Sequence, residues 1–170
     1  MNLPDEDVAR IAVGGFLHDI GKIGVPHEIL GKPGRLTEPE FAIIREHPVA
    51  GYEIVRSIDF PWPVARVVLE HHEAWDGSGY PNGLSGEQIC PEARIVAVAD
   101  TVDAVCSHRP YRPALGLPAA MAILRQDRGS KYDVEVVDAC IELLERHGYP
   151  IGAVEPESSS QRKVGLRLVN

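Results

Sequence analysis

Apolar residues recur at helical spacing along most of this chain, and no convincing stretch alternates apolar and polar residues as a half-buried β-strand would. The sequence therefore predicts an all-α fold. Proline, glycine and capping residues mark the ends of six predicted helices, which cover residues 3 to about 20, 37 to about 55, 63 to 75, 91 to about 107, 118–126 and 133–147. A connection rich in proline and glycine separates the first two of them.

Length and composition limit the number of domains, the location and the ligands that this protein can have. The 170 residues suffice for one domain, which we place at residues 1–152, and the Ser-rich and then basic segment 153–170 is predicted to be a flexible tail or linker. No apolar run is long enough to cross a membrane and the acidic N-terminus does not resemble a signal peptide, which predicts a cytoplasmic protein. The three widely spaced cysteines are expected to be reduced thiols. A net charge of −8 argues against nonspecific DNA binding.

Histidines and acids recur within the predicted helices at His18-Asp19, His47, His71-His72 and Asp100. Any one such histidine is more often a hydrogen-bonded core residue than a ligand. As a set, however, imidazoles and carboxylates suit metals such as iron, manganese or zinc. One carboxylate can bridge two metals about 3.5–4 Å apart, and such a pair polarises a phosphate and generates hydroxide. Asp19 is the candidate for this bridge.

Six motifs in order carry a resemblance to a known family: HDIGKIGVP (18–26), ILGKPGRL (29–36), EHPVAGYEIV (46–55), HHEAWDGSGYP (71–81), ARIVAVADTVDAV (93–105) and RPYR (109–112). In this order they resemble the HD-GYP family, a branch of the HD metal-dependent phosphohydrolases. The resemblance implies an HD-domain helical bundle with two divalent metals, or three, usually iron or manganese. It also implies hydrolysis of the bacterial second messenger cyclic di-GMP to linear pGpG, with GMP as a further product.

The resemblance assigns roles position by position. The positions that match the family's metal ligands are His18, Asp19, His47, His71, His72 and Asp100. Lys22 matches a phosphate-contacting lysine and is, with Asp19, a catalytic candidate. The substrate-binding candidates are Lys22, Tyr80, Asp103, Arg109 and Arg112. An anionic diester bound by a protein of net charge −8 needs such a local group of cations.

Gly-Tyr-Pro occurs twice, at residues 79–81 and 148–150. The first copy follows the paired histidines by a glycine-rich loop and is the family motif, through which a diguanylate cyclase or another signalling protein could dock. The second follows a predicted helix, where glycine and then proline are ordinary termination signals. We therefore expect only the first copy to be functional.

The chain departs from the family before His18. Family members carry a metal-binding histidine on a helix well upstream of the His-Asp pair, and no histidine precedes His18 here. An N-terminally shortened bundle is expected, with three protein ligands at the first metal and either an exposed apolar surface or a homodimer. The missing ligand leaves open a second function, a catalytically weak or inactive signalling module that binds cyclic di-GMP or partner proteins. An HD hydrolase of other nucleotides is disfavoured by Gly-Tyr-Pro and Arg-Pro-Tyr-Arg.

Overall fold

The computed structural model describes residue 1, residues 3–108 and residues 113–147. Two 3₁₀ helices, Ile20–Gly24 and Gly86–Gln88, accompany eight α-helices: α1 (Asp5–Leu17), α2 (His27–Leu30), α3 (Glu38–Arg45), α4 (His47–Val55), α5 (Val64–Glu70), α6 (Pro91–Cys106), α7 (Leu117–Gln126) and α8 (Val134–His147). Within these ranges there are two isolated bridges and no strand. The predicted all-α fold is confirmed.

Several predictions lie outside the described residues: those for Arg109 and Arg112, for the second Gly-Tyr-Pro and for the tail at 153–170. The proposed domain boundary at residue 152 therefore stays a prediction. In the part of the chain that the structure describes, no helix has both the length and the apolar character that a membrane span requires.

The first predicted helix is shorter than its pattern indicates. It ends at Leu17 instead of near residue 20, and the chain tightens into the first 3₁₀ helix. A close approach accounts for this turn, because a Cβ built on Gly21 would lie only 1.9 Å from the His47 carbonyl oxygen. The predicted connection after Gly21 is also partly helical, since it contains the rest of the 3₁₀ helix and α2.

Two other predicted helices differ from the structure, one through a local proline and one through a tertiary contact. The helix predicted from residue 37 is divided at Glu46 into α3 and α4, and Pro48 occupies the first turn of α4, where its missing N–H removes no helical hydrogen bond. The helix predicted to reach Trp75 ends at Glu70. The reason is that the Trp75 N–H donates to the Lys131 carbonyl, 2.9 Å away, which draws this segment towards the α7–α8 connection.

Helix α6 is the centre of the packing and contacts α1, α5, α7 and α8, while α4 packs on α5 and on the first 3₁₀ helix. Fully buried apolar side chains such as Val68, Val98, Leu124 and Val137 fill the spaces between these helices. Each contributes roughly 1.5–3 kcal/mol relative to an exposed side chain. Because α5 contacts α1, α4 and α6, the ends of these helices are held close together, and the candidate site lies there.

Candidate metal centre

Four segments bring the six predicted ligands together. His18 and Asp19 lie directly after α1, His47 begins α4, and His71 and His72 directly follow α5. The sixth, Asp100, lies within α6. Segments that are far apart in sequence therefore meet at one place, as the resemblance implied.

The histidine triad, which we define as His47, His71 and His72, has ligand atoms that all lie within 4.8 Å of one another. The Nε2 atoms of His47 and His71 are 3.1 Å apart. A metal ion could bind among these three side chains, two of which are buried.

The acidic half, which we define as His18, Asp19 and Asp100, adjoins the triad. His18 Nε2 lies 3.4 Å from Asp19 Oδ2 and 3.8 Å from Asp100 Oδ1. The other oxygen of Asp19, Oδ1, lies 3.3 Å from His47 Nε2. The two oxygens of Asp19 thus face different halves of the site, which is the placement that a bridging carboxylate requires.

Three of the histidines are oriented in the same way by the backbone. The Nδ1 atoms of His18, His47 and His71 each lie 2.6–2.8 Å from a carbonyl oxygen three residues earlier in the chain. A carbonyl only accepts hydrogen bonds, so Nδ1 carries the proton and Nε2 is directed into the site. Such hydrogen bonds are typical of histidines that ligate metals through Nε2.

The triad is uncharged near neutral pH. Burial lowers the pKa of His71 to about 3, because it disfavours the protonated ring, and repulsion from protonated His72 and His18 acts in the same direction. Burial and the neighbouring His47 lower the pKa of His72 to about 4, and burial also lowers the pKa of His47. Neutral imidazoles are the form that binds metals.

Charge in the acidic half is balanced differently. Burial opposes ionisation of Asp19 and Asp100, but His18 lowers the pKa of both carboxyl groups, and Lys22 also lowers that of Asp19. Burial would likewise lower the pKa of His18, yet Asp100 and Asp19 raise it to about 10. Lys22 Nζ donates to Asp19 Oδ2 at 2.6 Å. Two cationic side chains therefore offset the two carboxylates of this half.

The donor set fits a cation. With Nδ1 protonated and the imidazoles neutral, the Nε2 lone pairs of His47 and His71 face each other at 3.1 Å with no proton between them. Asp19 Oδ1 is buried and has no hydrogen-bond partner. His18 Nε2 is also buried without a hydrogen-bond partner, and it would release its proton on binding a metal. Buried lone pairs in this state are costly, and a metal ion would satisfy them.

The first Gly-Tyr-Pro loop closes one side of the centre. The Tyr80 ring stacks on the His72 ring with 4.8 Å between centroids and an interplanar angle of 25°. Burial raises the pKa of Tyr80 to about 12, so the phenol remains protonated and can donate a hydrogen bond. The loop is close to its own chain at Gly79, where an added Cβ would lie 2.3 Å from the Ala74 nitrogen.

Glu73 is a buried carboxylate that sequence reasoning missed. It accepts hydrogen bonds from the backbone N–H groups of Asn82 and Leu84, at 2.7 and 2.9 Å, and so holds the loop that carries Tyr80. In the sequence, its position between the paired histidines and Gly-Tyr-Pro was the one indication of a functional role. The pattern did not show that its partners are backbone groups about ten residues later.

We expect Glu73→Gln to lower the free energy of unfolding by about 1–3 kcal/mol, because an amide presents one oxygen and an NH₂ group to two backbone donors. Chemical denaturation of the metal-free protein measures this loss. Glu87→Gln, at an exposed site after the same loop, is the matched control and should be nearly neutral. Equal stability of the two variants would contradict the role given to Glu73.

Beside the triad lies a cavity of about 420 Å³. We call it the α6 cavity, and its lining includes His71, His72, Asp100, Thr101, Lys131 and Tyr132. Thr101 Oγ1 and Tyr132 Oη are hydrogen-bonded at 2.8 Å, which fixes both hydroxyl groups in the wall. The volume is in the range of small-ligand sites. Thr101, Lys131 and Tyr132 were not predicted as site residues.

A second, largely apolar groove of about 330 Å³ runs between α1 and α6. The predicted substrate-binding residue Asp103 lines this groove with His18 and Asp100, and not the α6 cavity. Apolar side chains are also exposed on α1 and on the first 3₁₀ helix, where Phe16 is 88% exposed and Ile23 is 82% exposed. The exposed apolar surface that the sequence led us to expect is therefore present.

Comparison with known proteins shows the family of this chain. A family model described as HD domain matches residues 1–136. The chain belongs to the HD domain family. The predicted family resemblance is thereby confirmed.

Relatives of this HD domain include enzymes with named substrates. The chain is 47% identical over 143 residues to the cyclic di-GMP phosphodiesterase response regulator RpfG of Xanthomonas campestris pv. campestris. This match covers 83% of this chain and 38% of that protein. It is 43% identical over 145 residues to a cyclic di-GMP phosphodiesterase of Thermotoga maritima, covering 84% of this chain and 39% of that protein. The chain thus spans about two fifths of the length of these relatives.

A solved structure shares the fold. Bd1817, an HDG"Y"P protein from Bdellovibrio bacteriovorus, matches the HD domain with a TM-score of 0.67 at 21% sequence identity. The match covers 84% of this chain and 45% of that one. This likeness supports the helical arrangement given above.

Proposed function

We propose that this HD domain is a metal-dependent phosphodiesterase that hydrolyses cyclic di-GMP to linear pGpG, with GMP as a further product. The observation that carries the proposal is the set of buried, unpaired lone pairs on Asp19, His47 and His71 beside a cavity large enough for a small ligand. The relatives named as cyclic di-GMP phosphodiesterases support the choice of substrate.

Asp19 with the triad would hold one metal, and Asp19 with His18 and Asp100 would hold a second. A centre with three metals is the alternative to this two-metal centre. When bound, divalent metals supply Lewis-acid polarisation of the phosphodiester and a hydroxide nucleophile. Iron or manganese is proposed from the family resemblance, and the imidazole and carboxylate donors suit either metal.

The remaining residues would bind and orient the substrate. Lys22 lies beside Asp19 at 2.6 Å and can place a positive charge next to the scissile phosphate. The phenol of Tyr80, held against His72, can donate a hydrogen bond at the edge of the site. From the family resemblance, Arg109, Arg112 and Asp103 are proposed as further substrate contacts.

A second candidate function is a signalling module that binds cyclic di-GMP or partner proteins with little or no cleavage. One observation favours it: within the described ranges the acidic half supplies only three ligand side chains, His18, Asp19 and Asp100. A weakly held metal at this half would leave binding largely intact and slow the chemistry.

The partners and location of the protein are also proposals. Cyclic di-GMP is the proposed ligand, and a diguanylate cyclase or another signalling protein is a proposed partner of the loop at residues 79–81. Exposed Phe16 and Ile23 support a homodimer, because apolar side chains of this size are commonly covered at interfaces. Unpaired thiols at Cys90, Cys106 and Cys140 support a cytoplasmic location.

Metal analysis and a cleavage assay on one preparation test the proposal. The protein loaded anaerobically with Fe²⁺ or Mn²⁺ should contain about two metals per chain by mass spectrometry and release pGpG from cyclic di-GMP. His72→Ala should lower metal content and, by analogy with the loss on removing outer-shell partners, reduce activity at least about 10- to 100-fold. His27→Ala is the matched control, because His27 is exposed on α2.

The two candidate functions give different results. Metal-loaded protein that binds cyclic di-GMP in calorimetry without releasing pGpG would support the signalling module. Protein that takes up no metal, or a His72→Ala variant with wild-type metal content, would overturn the metal centre itself.

A further inference from the structure

Arg45, at the end of α3, belongs to a column of rings that leads outward from the candidate metal centre. Its guanidinium carbon lies 5.3 Å from the centroid of the Tyr80 ring and 4.7 Å from that of Phe41. Tyr80 in turn stacks on His72. The Tyr80 ring therefore contacts both His72 of the metal centre and the guanidinium of Arg45.

Among the residues that the structure describes, Arg45 contacts aromatic rings and no carboxylate. Its contacts are the two rings, its side chain is exposed, and within the described part of the chain no carboxylate pairs with it. Other arginines of the domain, such as Arg56 and Arg66, pair with a glutamate on the same helix or next to it. A guanidinium that rests on aromatic faces keeps its N–H groups available at its edge, and these match phosphate oxygens in pairs.

Cyclic di-GMP carries two phosphates, and only one of them is cleaved at a time. Lys22 is bound to Asp19 inside the centre, so it is placed for the scissile phosphate. The other phosphate of the ring needs a second cation outside the centre. Contacts with Tyr80 and Phe41 restrict Arg45 in advance, which lowers the entropy lost when an anion binds.

We infer that Arg45 binds the non-scissile phosphate of the cyclic dinucleotide, with Tyr80 and Phe41 holding its guanidinium in place. This inference rests on the proposed function. It makes Arg45 a substrate-binding residue that distinguishes cyclic dinucleotides from diesters with one phosphate.

Steady-state kinetics with two substrates test the inference on the metal-loaded protein. Arg45→Gln should raise the KM for cyclic di-GMP roughly 10- to 100-fold, the loss expected for a hydrogen bond to a charged group, with kcat changed less than about threefold. Its kinetics with bis(p-nitrophenyl) phosphate, which has a single phosphate, should match those of the wild type. Arg45→Lys should recover part of the loss, and Arg125→Gln, an exposed arginine paired with Glu145, should behave as wild type.

Other outcomes overturn the inference. Equal losses with both substrates would show that Arg45 only positions the Tyr80 loop, and unchanged KM values would show that it contacts no substrate. If the wild type cleaves neither substrate, the proposed function fails, and calorimetry with cyclic di-GMP then decides the role of Arg45. Binding at least about tenfold weaker in Arg45→Gln than in the wild type supports that role, whereas equal binding, or none by the wild type, overturns it.

Discussion

Asp19→Asn lowers kcat/KM for cyclic di-GMP at least about 100-fold, which is the largest effect that we expect from a single change at the site. Outer-shell substitutions already cost about 10–100-fold in metal affinity or activity, and the two oxygens of Asp19 face both halves of the centre. An amide presents one oxygen and no negative charge to these groups. The assay is pGpG release by metal-loaded protein, accompanied by metal content.

The control for this variant is Asp138→Asn. Asp138 is also paired with a cation, Arg128, but it is exposed on α8. It should retain wild-type turnover and metal content. Activity of Asp19→Asn within about tenfold of the wild type would contradict the placement of Asp19 at the reacting centre.

Gly21→Ala is expected to lower the free energy of unfolding by at least about 3 kcal/mol. The new methyl group would lie 1.9 Å from the His47 carbonyl oxygen and 2.5 Å from the Gly51 nitrogen, and backbone atoms within a helix cannot move aside as a flexible side chain can. The first 3₁₀ helix would have to separate from α4. Chemical denaturation of the metal-free protein measures the loss.

The same substitution should also weaken metal binding, because separation of these elements moves Asp19 away from His47. Gly24→Ala is a close control, since Gly24 belongs to the same 3₁₀ helix and has no atom within 4 Å of an added Cβ. Its stability should stay within about 1 kcal/mol of the wild type. Similar stability of the two variants would mean that the approach of Gly21 to α4 is not as close as described.

The sequence alone was enough to predict the helical fold and the identity of the grouped side chains. Helical periodicity is local, so the predicted helix over residues 118–126 agrees with α7 to within one residue. The side chains that meet at the centre were predictable because the six ordered motifs resemble those of a known family. Even the division near His47 had a local signal, Pro48.

Tertiary contacts decided where helices end near the site. The ends of α1 and α5 depend on the approach of Gly21 to α4 and on the hydrogen bond from Trp75 to Lys131. Partners so distant in sequence leave no periodic signal in either segment. The helices predicted across His18 and His71 were therefore too long, although these residues do lie together with the other predicted ligands.

The sequence determined which side chains this protein brings to its centre, since residue type and motif order are properties of the chain itself. Only the tertiary structure decided how they meet: which oxygen of Asp19 faces His47, that Glu73 holds the loop of Tyr80, and that Arg45 rests on two rings. The physical reason is that hydrogen bonds, ion pairs and ring contacts act over a few ångströms in space. Segments far apart in sequence reach that range only when packing of α1, α4, α5 and α6 has brought them together.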